Sequence, residues 1–289
     1  MKRFICTVCG YVYEGESAPL KCPICNVGPD KFIEEEKESD DDFIFREYKV
    51  LNKVKENDFV TSFYLKRNDN KKLKEHKAGQ FVSIDAIKDG ANKGAIRQYS
   101  LSMKPGSDNY RISVKREDKG IVSSYLHDNI NRGDIVKLTN PLGEFLLKEN
   151  SNRPVVFLSG GIGVTPVLSM LYKAAEGGRD ILFVQAVLNS KAHTFKEELR
   201  ILKEKHKNIK SAVFYQSPLE SDKILEDYDH LGIVSKEWLL NNVPKNGEFY
   251  FCGPLGFMKH INDTLKEIGI SKEDRNYEMF GPSKDLDEI

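Results

Sequence analysis

The feature that most constrains this chain is the placement of its cysteines. Four of the five lie in the first 25 residues, as the pairs Cys6/Cys9 and Cys22/Cys25 with twelve residues between them, and the fifth is Cys252. A secreted protein held by disulfides would spread its cysteines along the chain. Two Cys-x-x-Cys turns that face each other instead offer four thiolates in a tetrahedron, which suits Zn²⁺ or a single iron. We therefore expect a small N-terminal metal domain in a reduced, cytoplasmic protein.

Length and charge narrow the class further. A chain of 289 residues exceeds one small domain, by the rough prior of one domain per 150 residues. Lys+Arg and Asp+Glu are both 44, so net charge provides no attraction to nucleic acid or an anionic membrane. The sequence contains no apolar run of about 18 residues and no signal-peptide core. We expect neither nucleic acid nor a membrane as a partner.

A run of charge divides the chain. Residues 34–42 read EEEKESDDD, which repel one another and have nothing to bury. This composition predicts a solvated linker that lets the metal domain, residues 1–33, swing relative to the rest. A docking site for a basic partner is the alternative.

Residues 43–152 show short segments in which apolar and polar residues alternate, separated by Gly, Asn, Asp or Pro. This pattern predicts an antiparallel sheet that closes into a barrel, with one helix near 122–128. The predicted strands are 58–65, 79–85, 99–102, 110–115 and 134–138.

From residue 153 to 289 the pattern changes to fully apolar strands that alternate with helices. Such strands belong to a parallel sheet covered on both faces. The predicted strands are 155–158, 181–187, 212–215, 248–252 and 276–280. The predicted helices are 166–176, 195–206, 236–241 and 257–268.

The barrel region contains a possible phosphate site. Gly120 and Ser123 open the predicted helix, where free amides and the positive end of the helix dipole favour an anion. Arg97 would supply a cation to the same phosphate. Arg97 begins a short polar motif that, taken alone, is also compatible with an ordinary polar strand face: Arg97, Gln98, Tyr99 and Ser100.

A glycine-rich turn follows the first parallel strand and opens a helix. Glycines let a backbone approach phosphate, and a proline suits the first helical turn. The residues of this turn are Gly161, Ile162, Gly163, Val164, Thr165 and Pro166. Cys252, Gly253 and Pro254 end a later strand at the same carboxyl edge, where ligands bind. The pattern predicts a dinucleotide site, with a purely structural turn as the alternative.

The residues around the metal-binding pairs resemble the rubredoxin-like domain of rubrerythrins. The resemblance rests on Cys9-Gly10-Tyr11 after the first pair and Cys22-Pro23-Ile24-Cys25 at the second. It implies one-electron iron at Cys6, Cys9, Cys22 and Cys25. A structural zinc stays open as the alternative.

Residues 43–289 resemble the ferredoxin-NADP reductase superfamily, and within it the reductase half of flavohemoglobins. The segments that carry the resemblance are RQYSLS, YRISVKRE, VSSYLHD and PLGEF. It implies FAD, with Tyr99 stacked on the isoalloxazine, Ser100 bonded near N5 and Arg97 on the pyrophosphate. Phe81, where the family usually carries Tyr, would keep only a stacking role near the adenine. The other FAD-binding candidates are Gln98, Lys115, Gly120, Val122 and Ser123.

The same resemblance implies a nicotinamide cofactor bound at the glycine-rich turn. It places Cys252, Gly253 and Pro254 beside the nicotinamide. It also implies that Phe280, followed by Gly281, shields the flavin and that Glu278 controls charge nearby. The loop after the second parallel strand contains Lys191 and no Arg pair, which favours NADH over NADPH. His193 in that loop is expected to be a loop or cap residue.

The predicted fold is therefore multi-domain: a rubredoxin-like metal domain, an antiparallel β-barrel flavin domain and an α/β parallel-sheet nicotinamide domain. The predicted function is transfer of electrons from NAD(P)H through FAD to the fused FeCys₄ centre. An external redox protein, such as an oxygen-, peroxide- or superoxide-reducing metalloprotein, would then accept them. Two alternatives stay open: an FAD reductase whose zinc ribbon docks a partner, and a reductase component for nitric oxide detoxification.

Overall fold

The computed structural model describes residues 2–34, 43–281 and 285–288. The predicted linker therefore lies outside the described residues, apart from Glu34. The chain divides into two compact units. The first contains Met1–Lys55 and Thr61–Leu146, and the second contains Glu56–Val60 and Leu147–Phe280. We call them the flavin unit and the nucleotide unit.

The metal domain is a small antiparallel sheet within the flavin unit. Its strands, in the order β2-β1-β3, are β1 (Lys2–Cys6), β2 (Val12–Gly15) and β3 (Phe32–Glu34). Glu34 pairs with Phe4 of β1, so the sheet extends one residue past the predicted domain end. The two Cys-x-x-Cys turns follow β1 and precede β3, respectively.

The remainder of the flavin unit is an antiparallel six-stranded sheet in the order β7-β6-β9-β4-β5-β8. A bridge between Leu101 and Ile112 joins its two ends, so the predicted barrel closes. One helix, α1 (Ile121–Asn129), follows β8. The strands are β4 (Arg46–Lys55), β5 (Val60–Arg67), β6 (Phe81–Asp85), β7 (Ile96–Ser100), β8 (Tyr110–Lys115) and β9 (Ile135–Leu138).

The longest barrel strand, β4, is absent from the predicted set. Glu47 and Lys49 are exposed while Tyr48 and Val50 are fully buried. It pairs with both β5 and β9 and is therefore an interior strand. The motif at Arg97–Ser100 ends β7, whereas the sequence placed it at a strand start.

The nucleotide unit is a parallel six-stranded sheet in the order β13-β12-β11-β10-β14-β15. Its strands are β10 (Val155–Gly160), β11 (Ile181–Val187), β12 (Ile209–Tyr215), β13 (His230–Leu231), β14 (Glu248–Cys252) and β15 (Arg275–Glu278). Its helices are α2 (Val164–Glu176), α3 (Lys196–Lys205), α4 (Lys236–Asn242) and α5 (Leu255–Glu267).

The strand order reverses at β10. The chain continues from β10 to β11 on one side and later returns to β14 on the other. In open α/β sheets, ligands bind outside the carboxyl ends of the strands at such a reversal. The glycine-rich turn after β10 and the Cys252–Pro254 turn after β14 both lie there.

The opposite, amino edge of this sheet is fixed by buried charge. The Arg179 guanidinium lies 2.6 Å from the Glu248 carboxylate, and both side chains are almost fully buried. Arg179 also donates to the carbonyl of Arg153. Removal of one partner from a buried pair of this kind strongly lowers the stability of the fold, because it leaves an uncompensated charge.

Among the described residues, no helix is both long and apolar enough to cross a membrane.

Candidate cofactor and metal sites

The four N-terminal cysteines form one cluster. Their sulfur atoms all lie within 4.8 Å of one another, and all four residues are buried. The shortest approaches, 3.6 Å and 3.4 Å, are Cys6 Sγ to Cys25 Sγ and Cys9 Sγ to Cys22 Sγ. The sequence-predicted ligands are thus brought together.

The two turns that carry these thiols have the same local structure. We call residues 6–10 the first knuckle and residues 22–26 the second knuckle. Gly10 N–H donates to the Cys6 carbonyl at 2.8 Å, and Asn26 N–H donates to the Cys22 carbonyl at the same distance. Both Gly10 and Asn26 adopt left-handed backbone, with φ of 74° and 61°. This conformation costs glycine nothing and asparagine little.

The chemistry of the cluster fits a metal. Hydrogen bonds from the thiols of Cys25 and Cys9 lower the pKa of Cys6 to about 2, whereas the hydrogen bond with Cys6 raises the pKa of Cys25 to about 12. The site therefore holds one thiolate readily, and further negative charge requires a cation. A metal ion deprotonates a coordinating thiol, and four thiolates suit iron.

The FAD candidates of β7 differ in exposure. Tyr99 packs against the barrel core, and burial raises the pKa of its phenol. Ser100 is buried, and the exposed Arg97 donates to the Ile96 carbonyl at 2.7 Å. Gln98 Nε2 is buried without a hydrogen-bond partner in the described structure. Buried donors normally have a hydrogen-bond acceptor, so this amide is consistent with a site in which a polar cofactor supplies the acceptor.

The start of α1 also fits an anion. A Cβ atom on Gly120 would lie 2.2 Å from Ser123 Oγ and 2.9 Å from Glu117 Cβ, so a larger residue would force these side chains to shift. Ser123 Oγ donates to the Gly120 carbonyl at 3.2 Å. The Val122 side chain lies in the barrel core, so it can offer a ligand only its backbone. The first-turn N–H groups of a helix have no intrahelical acceptor, which makes them available to phosphate. Lys115 lies next to Glu117 in an exposed ion pair.

Phe81 has a different neighbourhood from the one expected. Its ring is buried in a cluster with Ile5, Phe43 and Leu142, and Ile5 belongs to the metal domain. The expected contact with the adenine remains a prediction that this packing does not favour.

In the nucleotide unit, the glycine-rich turn and the Cys252 turn pack directly on each other. A Cβ atom on Gly163 would lie 2.1 Å from the Cys252 carbonyl oxygen, and one on Gly253 would lie 2.9 Å from Gly160 Cα. Both positions exclude any side chain. Gly161 adopts left-handed backbone with φ of 52°. The two predicted nucleotide-binding segments thus form one surface at the carboxyl edge.

The remaining residues of the turn start α2. Thr165 Oγ1 donates to the Ile162 carbonyl at 3.0 Å. Val164 and Pro166 are buried in the first turn of the helix, and Pro166 meets the expectation for a helix start. The helix begins at Val164, two residues before the predicted start.

Cys252 is fully buried between two neighbouring strands. Its backbone pairs with Ser159 of β10 and with Glu278 of β15. Burial, and then the charge of Glu278, raise the pKa of the Cys252 thiol well above its ordinary value. Burial raises the pKa of Glu278 to about 8. Both shifts favour the protonated forms of the two groups.

The segment after β15 is open. Phe280 is half exposed and Gly281 is exposed, with a φ of 130° that favours glycine. Their predicted roles beside the flavin stay predictions.

His193 follows a 3₁₀ turn, Ser190–Ala192, and serves as its cap. Its Nδ1 lies 2.9 Å from the Tyr215 hydroxyl and its Nε2 lies 3.2 Å from Gln185 Oε1. Burial lowers the pKa of His193 to about 4. The ring is thus a neutral structural group, as expected for a cap rather than a catalyst.

Two residues of interest were absent from the sequence-predicted set. Ser83 of β6 donates to the carbonyl of Cys9 at 2.6 Å. Asp222 accepts hydrogen bonds from the hydroxyl and the amide of Ser190. No local motif marks either residue, because both contacts join segments distant in the sequence.

Three family models match the chain. A rubrerythrin, rubredoxin-like domain matches residues 4–33, an oxidoreductase FAD-binding domain matches 47–146, and an oxidoreductase NAD-binding domain matches 157–263. A solved FAD/NAD-binding domain of nitric oxide dioxygenase from Vibrio cholerae is 35% identical, with a TM-score of 0.75. The match covers 82% of this chain and 99% of that one.

The chain belongs to the flavohemoprotein-reductase family. As a member, it is an oxidoreductase with FAD-binding and NAD-binding domains. It also carries a rubredoxin-like Cys₄ site suited to iron.

Further relatives agree with this reductase assignment. The flavohemoprotein of Bacillus cereus is 43% identical over 251 residues, which is 84% of this chain and 62% of that protein. This reductase thus spans less than two thirds of the curated relative. Phthalate dioxygenase reductase, at 24% identity and a TM-score of 0.66, shares the fold.

Proposed function

We propose that this chain is an NAD(P)H:rubredoxin-type oxidoreductase. In this function, reducing equivalents from NAD(P)H reach the fused FeCys₄ site by way of FAD and leave to an external redox protein. The observation that carries the proposal is the packing of the Cys₄ domain, through Cys9, on the barrel of its own reductase.

The flavin unit provides the residues that would hold FAD. We assign Arg97 and the first turn of α1 to the pyrophosphate, since both present positive charge or free N–H groups. We assign Tyr99 to stacking and Ser100 to a hydrogen bond with the ring system. Bound FAD supplies the conversion between two-electron and one-electron chemistry.

The nucleotide unit provides the residues that would hold NAD(P)H. The backbone of Gly161–Gly163 would bind the pyrophosphate. Cys252 presents a neutral thiol at the strand end, because burial raises its pKa. Phe280, half exposed beyond β15, would cover the flavin when no nicotinamide is present. Glu278 would hold a proton near the reaction.

We propose NADH as the preferred donor. Asp222 belongs to the segment after β12, and its carboxylate accepts from Ser190 Oγ, in the turn after β11, at 2.5 Å. In dinucleotide-binding folds, the residues after the second strand meet the ribose 2′ position. A carboxylate there would repel the 2′-phosphate of NADPH, and Lys191 is the one cation of this turn.

Turnover with separate acceptors tests the function. Wild type should reduce both a small artificial acceptor, such as ferricyanide, and oxidised redox-protein acceptors of the kind named above. A Cys22→Ser variant should retain the first activity and lose the second. Equal reduction of the protein acceptors by wild type and by Cys22→Ser would contradict a route through the Cys₄ site.

A second candidate function is that of a reductase component for nitric oxide detoxification. It is favoured by the 35% identity to the Vibrio cholerae nitric oxide dioxygenase domain. Nitric oxide consumption with NADH and a separate haem protein, independent of Cys22, would support it.

A zinc-loaded site with no visible ferric-thiolate absorption would instead favour the other alternative, in which the metal domain is a zinc ribbon that docks a partner.

A further inference from the structure

The metal domain contacts the flavin barrel through its first knuckle. Ser83 Oγ donates to the Cys9 carbonyl at 2.6 Å, and Ser83 is fully buried. Ser83 is itself fixed, because its N–H donates to Thr139 Oγ1 at 3.0 Å and its carbonyl accepts from Thr139 N–H at 3.1 Å. A barrel residue with no freedom to move thus holds the backbone of a metal-ligand residue.

Apolar contacts surround this hydrogen bond. A Cβ atom on Gly10 would lie 3.5–3.7 Å from side-chain atoms of Thr139, Phe43 and Leu142. These are ordinary van der Waals distances, so the barrel wall lies directly against this position of the knuckle. Beside it, Ile5 of the metal domain packs with Phe43 and Leu142.

The second knuckle has the same backbone and different surroundings. Asn26 adopts the left-handed conformation that Gly10 adopts in the first knuckle, yet Asn26 is exposed. Pro23 is also exposed, and Leu20, two residues before Cys22, has an exposed fraction of 87%. Of two equivalent turns, one is covered by the barrel and the other faces solvent.

We infer that Ser83 is a positioning residue for the metal site, which anchors the Cys9 carbonyl so that the first knuckle stays seated on the barrel in solution. Ser83 pairs with Gln98 of the RQYS strand, so the anchor lies on the strand next to the proposed flavin residues. The swinging metal domain expected from the acidic run is replaced by a docked one. The use of this docking for electron transfer rests on the proposed function, whereas the docking itself does not.

The two knuckles supply a matched pair of variants. Gly10→Asn retains a residue that accepts left-handed backbone, as Asn26 does, but adds a polar side chain at the apolar contact between the knuckle and the barrel. Asn26→Gly makes the reverse change on the exposed knuckle. Both variants should bind metal with four thiolates, and only the first should undock.

The measurement is ¹⁵N relaxation on the zinc-loaded full chain, which is diamagnetic and requires no electron transfer. In wild type and Asn26→Gly, the amides of residues 2–34 should share the rotational correlation time of the barrel strands. In Gly10→Asn, their correlation time should fall while that of the barrel stays unchanged. Independent tumbling in wild type, or an unchanged correlation time in Gly10→Asn, would overturn the inference.

Ser83→Ala tests the anchor itself. Loss of one buried hydrogen bond should make hydrogen exchange at the Leu142 amide about tenfold faster, since that residue lies under the metal domain. Ser62→Ala is the control, because it removes a buried hydroxyl that bonds Ser113 inside the barrel at 2.7 Å. An equal effect of both variants would show general loosening of the barrel and would contradict a specific anchor.

The inference and the proposed function can fail separately. Docking without electron transfer would refute only the proposed function, and electron transfer without docking would refute only this inference.

Discussion

The four knuckle cysteines and Cys252 are all buried, yet their surroundings prepare them for opposite chemistry. The knuckle thiols converge within 4.8 Å of one another, where a single thiolate is stabilised by its neighbours and a cation is required for the rest. Cys252 lies on a central strand between backbone groups and Glu278, where burial raises its pKa. The first environment favours charged sulfur bound to a metal, and the second favours a neutral thiol.

The groups around a cysteine, rather than the residue type alone, therefore determine its role. At the metal site, loops with left-handed turns at Gly10 and Asn26 direct four side chains inward. At Cys252, two glycines that tolerate no Cβ bring the nucleotide turn against its backbone. Changes at each site should therefore affect one function and spare the other.

The largest effect should come from Cys22→Ser. It removes one ligand that belongs to the exposed knuckle and leaves every residue of the docked knuckle unchanged. Metal affinity should fall by more than about 100-fold, since even outer partners of metal ligands are worth about 10–100-fold. Metal content per chain and ferric-thiolate absorption measure this. Cys252→Ser should retain full metal, and retention of full iron by Cys22→Ser would contradict the assignment of ligands.

Gly163→Ala should cause the next largest effect, in the nucleotide unit. Its Cβ would lie 2.1 Å from the Cys252 carbonyl oxygen, so the backbone must shift. Overpacking of this kind costs about 1–3 kcal/mol. The fluorescence of Trp238, the single tryptophan, reports unfolding of this unit. Gly256→Ala in α5 is the control, because nothing lies within 4 Å of its Cβ position. Equal stability of the two variants would contradict the packing described.

Glu278, whose backbone pairs with Cys252, should make the stability of the nucleotide unit depend on pH. Its folded pKa of about 8 lies above the ordinary 4.5, so the protonated carboxyl favours the folded state. This contribution is present below pH 4.5 and is lost as pH rises toward and through about 8. Wild-type unfolding temperature, followed by Trp238 fluorescence, should therefore fall across this range more than that of Glu278→Gln. Parallel pH profiles would show that Glu278 is ionised throughout.

Asp222→Ser should produce the smallest effect, and it tests whether this residue contributes to the choice between NADH and NADPH. Removal of this partly buried charge should improve kcat/KM for NADPH relative to NADH by roughly two- to fivefold, the scale of a weak charge interaction. Asp180→Ser makes the same charge change at the opposite edge of the sheet and should leave the ratio unchanged. An unchanged ratio in Asp222→Ser would remove this residue from nucleotide selection.

Local patterns allowed prediction of much of the molecule. The Cys-x-x-Cys spacing predicted the metal cluster, and the glycine-rich turn predicted the surface that it forms with Cys252. Strand β4 was missed because five of its ten residues are charged, and these surround the buried Tyr48 and Val50 and obscure a half-buried strand.

Contacts between distant segments escaped prediction. Ser83 and Cys9 are 74 residues apart, and a serine in a strand carries no sign of the carbonyl that it will meet. The packing of Phe81 with Ile5 of the metal domain was not predicted either, because an aromatic residue in a strand gives no sign of its distant partner. The predicted contact of Phe81 with the adenine stays a prediction.

The most direct test of the central claim is the visible spectrum of iron- and FAD-loaded protein before and after anaerobic addition of NADH. The flavin band and the ferric-thiolate bands should both bleach in wild type, whereas Cys22→Ser, which should lack the ferric-thiolate bands, should show flavin reduction only. Flavin reduction with persistent ferric-thiolate absorption in wild type would contradict it.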